Sequence, residues 1–316
     1  NDAYKEDGIG DAVFHDPDKT NIQAYRDGLR LVREAAGRDV FLLGCCANQN
    51  MRSYGGAFGL VDAMRIGPDN GASWKGVLTG PMFGTRNYFL HGRVWYNDPD
   101  PVYVRTSLTV EQARVSCSWV GMTGQLALGS DDFERLPPER LAILQRILPA
   151  HGLQARPVDL FDEPLPRIWL LTDDRRAPRR DVVGLFNWGD QPHAFDCPLP
   201  RIGLPADVKY LAFDFWAGAM LPLVDGHLRT TLPPQSCAVL AVRALADHPQ
   251  LLSTSRHVSQ GMVDVVDERW DGGLRVLSGT SRVVGGDDYE LRIATYTPAG
   301  IWQAAAAEVG AEDRQA

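Results

Sequence analysis

Near Pro157 the hydrophobic pattern of this 316-residue chain changes period, and that change constrains the fold more than any other feature. Upstream, short apolar runs alternate with stretches of helical period. Residues 40–43 are apolar throughout, as a strand buried on both faces requires. A helix is expected from Asn21, where Thr20 and Gln23 form a capping box. Ile22, Tyr25, Leu29 and Val32 mark its apolar face and Gly37 stops it. Residues 61–66 read as the next strand, with a helix opening at 74–78. Runs at 94–96 and 102–104 flank Asn97-Asp98-Pro99-Asp100. A helix after Thr109 is apolar on most sides, so it is expected to be well buried. Residues 126–128 read as a short strand, and Pro138 suits the first turn of a helix carrying Leu141, Leu144, Ile147 and Leu148.

Strand and helix alternating at this pace predict βαβ units and a parallel sheet. About five units fit where a closed eight-fold barrel takes about 250 residues, so the expectation is a (β/α)8 barrel whose first strands are missing. Downstream the pattern is antiparallel. Candidate strands at 168–171, 182–187, 194–197, 210–215, 227–232 and 237–242 are separated by Pro, Gly and Asp turns, and 227–232 alternates with period two. Further strands are expected at 262–266, 274–277, 281–284 and 289–294. The expected class is α/β plus all-β: a partial barrel over 1–153, an antiparallel β-sandwich over 154–248, a β-rich segment over 249–305 and a frayed tail over 306–316.

Composition narrows the function. A net charge of −8 disfavours nucleic-acid and membrane-surface partners. Cys45, Cys46, Cys117, Cys197 and Cys237 are odd in number and scattered, which favours a reducing, cytoplasmic compartment and buried thiols over disulfides. The seven histidines lack metal-ligand spacing, and Gly8-Ile9-Gly10 lacks the third glycine of a dinucleotide fingerprint, so neither metal nor cofactor is expected. Arg175, Arg176, Arg179 and Arg180 read as a solvated hairpin tip.

In a barrel, catalytic groups sit at the C-terminal ends of strands. Three acidic clusters fall at such points: Lys5-Glu6-Asp7, Arg65 through Asp69, and Asn97 through Asp100. Two carboxylates, one ionised and one held protonated, are what retaining glycoside hydrolysis needs. Lys5, two residues before Asp7, shares its side of a strand and can hold it ionised. Asp69 follows a Gly-Pro turn, where partial desolvation would raise its pKa. Asp98 suits an Asx-type turn and Asp100 a pocket position. Trp95 is expected in the core, leaving Tyr96 as the sugar platform.

These pieces resemble glycoside hydrolase clan D, the melibiase-type α-galactosidases of families 27 and 36. The resemblance runs from Ala3 to about Arg105: Lys5-x-Asp7, a cysteine at the next strand end (Cys45 or Cys46), Arg65-x-x-x-Asp69 followed by Trp74, then Asn97-Asp98-Pro99-Asp100. Phe186-Asn187-Trp188 resembles the motif of the family's appended sandwich. The resemblance implies Asp7 as nucleophile and Asp69 as acid/base. It implies Lys5, Arg65, Cys46, Tyr96 and Asp100 as substrate-binding residues, and an oligosaccharide or glycoside as partner, with homo-oligomers possible. The chain lacks the family's W-P-x-Y loop pattern between Cys45 and Gly59. Another axial sugar, an α-N-acetylgalactosaminide or a β-L-arabinopyranoside, is the alternative substrate, and a non-catalytic sugar-binding fragment the alternative role. Without the first strands, the edge at Tyr4 would be unpaired, and activity is expected at least ~100-fold below that of an upstream-extended protein.

Overall fold

The computed structural model describes residues 18–45 and 55–310, together with the backbone of the strand at Ala3–Asp7. Four parallel strands, β1 (Ala3–Asp7), β2 (Phe41–Cys45), β3 (Ala63–Arg65) and β4 (Tyr96–Asp98), form one sheet in chain order, with β1 at its edge. Helix α1 (Asn21–Ala36) starts at the expected capping box and ends at Gly37, whose φ of 85° suits glycine. It covers one face of the sheet. Tyr25 and Leu29 pack there with Leu42, Met64 and Trp95, so Trp95 is in the core as expected.

Helix α2 (Trp74–Arg86) follows β3, and α3 (Val110–Thr123) and α4 (Pro138–Gln145) follow β4. The strand expected at 126–128 does not form. Leu126 N–H donates to Asn97 C=O at 2.9 Å and Val102 N–H to Leu128 C=O at 2.8 Å, leaving one isolated bridge from Val102 to Gly129. Pro99 and Pro101 have no N–H to extend a ladder, and Asp100 turns the chain with φ 74°.

The second region is one nine-stranded antiparallel sheet. Its strands are β5 (Arg156–Pro157), β6 (Ile168–Asp173), β7 (Arg180–Asn187), β8 (His193–Pro198), β9 (Lys209–Asp214), β10 (Ala219–Met220), β11 (Val224–Asp225), β12 (His227–Leu232) and β13 (Ser236–Ala244). They run β5-β6-β7-β13-β9-β11-β12-β8, with β10 beside β9. All six expected strands are present. The sheet curls so that Val183 and Leu185 of β7 share a core with Phe195, Leu228 and Leu240. The opposite face of β7 and β13 meets α3: Val182, Phe186 and Val239 pack with Val115, Trp119 and Met122. Two apolar faces explain why β7 is buried along its whole length. They also explain a helix that is apolar nearly all round.

β14 (Gln250–Thr254) was not anticipated, and β15 (Val265–Asp271), β16 (Val276–Ser281) and β17 (Leu291–Ala294) are shifted from the expected runs. β18 (Tyr296–Thr297) and β19 (Gly300–Ile301) close a final short hairpin. Between β14 and β15, His257, Val258, Ser259 and Gln260 are fully buried. Val258 N–H donates to Arg146 C=O at 2.9 Å and Gln260 Nε2 to Val239 C=O at 2.9 Å. This wedge ties the helical region to the sheet. A Cβ on Gly121 of α3 would lie 2.6 Å from Ile147 Cγ2 and 2.7 Å from Val258 Cγ2. Gly121→Ala is therefore expected to destabilise the fold by about 1–3 kcal/mol, read as a lower urea midpoint. An unchanged midpoint would mean that the wedge does not pack against α3.

The arginine hairpin is also more committed than a solvated tip. Arg176 donates to Val266 C=O at 3.0 Å, and Arg180, 8% exposed, donates to Glu268 at 2.6 Å. Both contacts clamp β15 onto the sandwich. A short sequence window shows the charges but not their burial, because the partner of Arg180 lies 88 residues away.

Candidate active site

The parallel register sets the site. Asp7 pairs with Cys45, Cys45 with Arg65, and Arg65 with Asp98, so these residues form one row at the C-terminal end of the four strands. Lys5, Leu43, Ala63 and Tyr96 form the row two residues earlier. Residues two apart on a strand share a face. The side chains of Lys5 and Asp7, and Cys46 entirely, lie outside the described residues. Among the two cysteines it is Cys45 that ends β2 and occupies the row, as a buried side chain.

Arg65 is the centre of the described part. It is 4% exposed, and its guanidinium meets three carboxylates. Nε donates to Asp98 Oδ2 at 3.1 Å, Nη1 to Asp69 Oδ1 at 3.1 Å, and Nη2 pairs with Asp100 Oδ1. Burial pulls the guanidinium down, but Asp98 and Asp100 more than offset it and hold Arg65 above its ordinary value. This guanidinium is an internal counter-ion that organises acids. The substrate contact expected of it finds little exposed surface.

The Asn97–Asp100 motif divides by face. Asn97 Oδ1 accepts from Trp95 Nε1 at 3.1 Å and its Nδ2 donates to Asn87 C=O at 3.0 Å. Asp98, fully buried, turns to Arg65, and its Oδ1 accepts from Asp100 N–H at 2.8 Å in the anticipated Asx-type turn. Asp100 takes a positive φ that Asp tolerates better than most residues. Its Oδ2 accepts from Asn70 N–H at 2.7 Å. Burial raises the Asp100 carboxyl above the usual range, against the Asn70 N–H and Arg65.

Asp69 differs from expectation. Its side chain is 93% exposed, so the desolvation foreseen for it falls on Asp100 instead. The Gly-Pro turn does lift Asp69 over the strand ends, but no described element covers it. Tyr96 begins β4, is 45% exposed and meets His91 edge-on at 5.9 Å. Its exposed ring is free for stacking. Asn70 was missed; its only signal was the turn composition around it, although its backbone and its Nδ2, which donates to Pro101 C=O at 2.9 Å, join the two acidic loops.

Removing Arg65 tests this centre. Arg65→Met leaves Asp98 and Asp100 as buried, unpaired carboxylates, and should cost about 3–5 kcal/mol of stability. The deficit should shrink as pH falls and the acids protonate. A loss that does not depend on pH in chemical denaturation would show that the carboxylates are not the source.

Residues 173–242 match the α-galactosidase C-terminal β-sandwich domain. Over 69% of this chain the fold resembles a family 27 β-L-arabinopyranosidase from Geobacillus stearothermophilus, with TM-score 0.59 and 18% identity. Over the aligned residues the chain shares the fold of melibiase-type glycoside hydrolases. Melibiase-type relatives include α-galactosidase I of Mortierella vinacea, with TM-score 0.52 and 14% identity over 70% of this chain and 62% of that one. The Saccharomyces cerevisiae α-galactosidase aligns with TM-score 0.54 and 16% identity over 71% of this chain and 67% of that one. The chain spans 54% of the arabinopyranosidase, about half its length. At such identities the likeness is one of fold, and the melibiase-type sandwich is the part that sequence matching also supports.

Proposed function

We propose that the protein is a retaining glycoside hydrolase that cleaves terminal α-galactosides by double displacement. The observation that carries this reading is the register row, which aligns Asp7, Cys45, Arg65 and Asp98 at the strand ends where (β/α) enzymes place their chemistry. In the proposed reaction the Asp7 carboxylate attacks the anomeric carbon and forms a glycosyl-enzyme ester. Asp69 protonates the leaving oxygen, then deprotonates the incoming water. Lys5 keeps Asp7 ionised. Arg65 aims Asp69 through their 3.1 Å contact, and Asp100 and Tyr96 border the sugar. The bound sugar would cover the exposed Asp69 side chain.

The strands β1–β4 with α1–α4 are proposed to be the later part of a (β/α)8 barrel. A second substrate has a specific basis in the Geobacillus arabinopyranosidase likeness, because a β-L-arabinopyranoside is an α-galactoside without its hydroxymethyl group. Parallel assays of the full-length gene product on p-nitrophenyl α-D-galactopyranoside and β-L-arabinopyranoside decide between them. The galactoside should have the higher kcat/KM. Turnover of neither would leave the sugar-binding role. In a crystal structure, the Asp7 and Asp69 carboxyl carbons should lie about 5–7 Å apart, and a separation beyond about 10 Å would end the pairing.

A further inference from the structure

Asp69 is exposed, yet both ends of the loop that carries it are fixed. At the start Gly67 presses against α2: a Cβ there would lie 2.9 Å from Phe83 Cγ. At the end Ser73 caps α2, its Oγ accepting from Gly76 N–H at 3.2 Å. Gly76 approaches the turn so closely that a Cβ would fall 2.0 Å from Gly71 C=O. Between these anchors stand Pro68, Asp69 and Asn70. Among the described residues, this middle stretch is fastened by the Arg65–Asp69 ion pair and by Asn70. Asn70 N–H donates to Asp100 Oδ2 at 2.7 Å, and its Nδ2 donates to Pro101 C=O at 2.9 Å. Asp100 N–H in turn donates to Asp98 Oδ1 at 2.8 Å, and Asp98 is fully buried. One neighbour thus ties an exposed acid to the interior.

Stability alone does not account for an asparagine here. Asn70 Oδ1 is buried without a hydrogen-bond partner among the described residues. An orphaned buried acceptor costs at least as much as one neutral hydrogen bond returns, so the amide brings little net stability. What it brings is geometry, because its donor holds the backbone beside Asp69 against the Asp100 turn. Proton transfer is sensitive to such placement, since an error of about 1 Å in a reacting group can cost on the order of 100-fold in rate.

We propose that Asn70 is a positioning residue for proton transfer: its two donors pin the Asp69 loop to the Asp100 turn and set how the Asp69 carboxyl meets the leaving oxygen. The inference rests on the reading of Asp69 as the acid/base. A poor leaving group needs that proton and a good one hardly does. The test is kcat/KM of the full-length protein on the p-nitrophenyl and methyl glycosides of the sugar it turns over. Asn70→Ala keeps the backbone donor and removes Nδ2. It should lower kcat/KM about 10- to 100-fold on the methyl glycoside and less than about threefold on the p-nitrophenyl glycoside. Asn70→Asp keeps the shape but sets an oxygen against Pro101 C=O, and it should show the same split if Asn70→Ala does not fold. Asp69→Asn, run in parallel, should show the split more strongly. Equal losses on both glycosides in the Asn70 variants, or no loss, beside a split in Asp69→Asn would overturn the positioning role and leave Asp69 as the acid. No split in Asp69→Asn would instead remove the acid/base reading itself.

Discussion

Asp7→Asn in the full-length protein is expected to reduce kcat by on the order of 10⁴-fold or more while the fold stays intact. The amide cannot form the glycosyl ester, and the path through a covalent intermediate closes. Loss of a transition-state interaction lowers kcat and kcat/KM together, so KM should change little. Asp69→Asn should behave differently. Substrates with a good leaving group need little protonation, so its first step should survive on p-nitrophenyl glycosides while deglycosylation slows and the intermediate accumulates. The readout is a burst of p-nitrophenol in Asp69→Asn and none in Asp7→Asn. Residual activity of Asp7→Asn within about tenfold of wild type would remove Asp7 from the role of nucleophile.

The second large effect is acid lability built into the junction between helices and sheet. His91, His151 and His257 are buried there, and each uses Nδ1 as an acceptor: from Asn97 N–H at 3.2 Å, Leu153 N–H at 3.0 Å and Ser259 N–H at 2.9 Å. Such rings are neutral, because a proton on Nδ1 would break the bond. Burial first, then mutual repulsion involving His151, lowers His91 to about 4 and His257 to about 3, and burial lowers His151 to about 4. The folded values lie below the ordinary 6.5, so the unfolded chain takes up protons first. Stability is then present above pH 6.5 and is lost as pH falls toward 4. At pH 5 each ring contributes a loss of about 2 kcal/mol, roughly 6 kcal/mol for the three. His151→Gln checks this. The stability gap between wild type and variant should narrow by about 2 kcal/mol between pH 7 and pH 5. A gap that stays constant would mean that His151 takes up its proton over the same pH range in the folded and unfolded chain.

How much of this was legible follows from how local each signal is. The capping box at Thr20 and Gln23, the stop at Gly37, and the all-round apolar helix after Thr109 are written within a dozen residues, and the structure repeats them. So are the sandwich strands, whose period-two alternation and turn residues leave few other conformations. The candidate acids stand out because Asp beside Gly, Pro and Asn at the end of an apolar run is unusual chemistry in a short window. What such a window cannot contain is the distance to a partner. Whether Asp69 or Asp100 is desolvated depends on Arg65 and Asn70, which arrive from another strand and loop.

The sequence by itself determined the order of strands and helices, the two textures on either side of Pro157, and which acids stand at strand ends. Only the tertiary structure decided the rest. It aligned Asp7, Cys45, Arg65 and Asp98 in one row, because register is set by pairing between strands. It made Arg65 a hub of three carboxylates, since burial and ion pairing arise only when distant segments exclude water together. It also turned residues 257–260 into a buried wedge that no periodicity marks, because that segment is held by side-chain and backbone hydrogen bonds rather than by an apolar face.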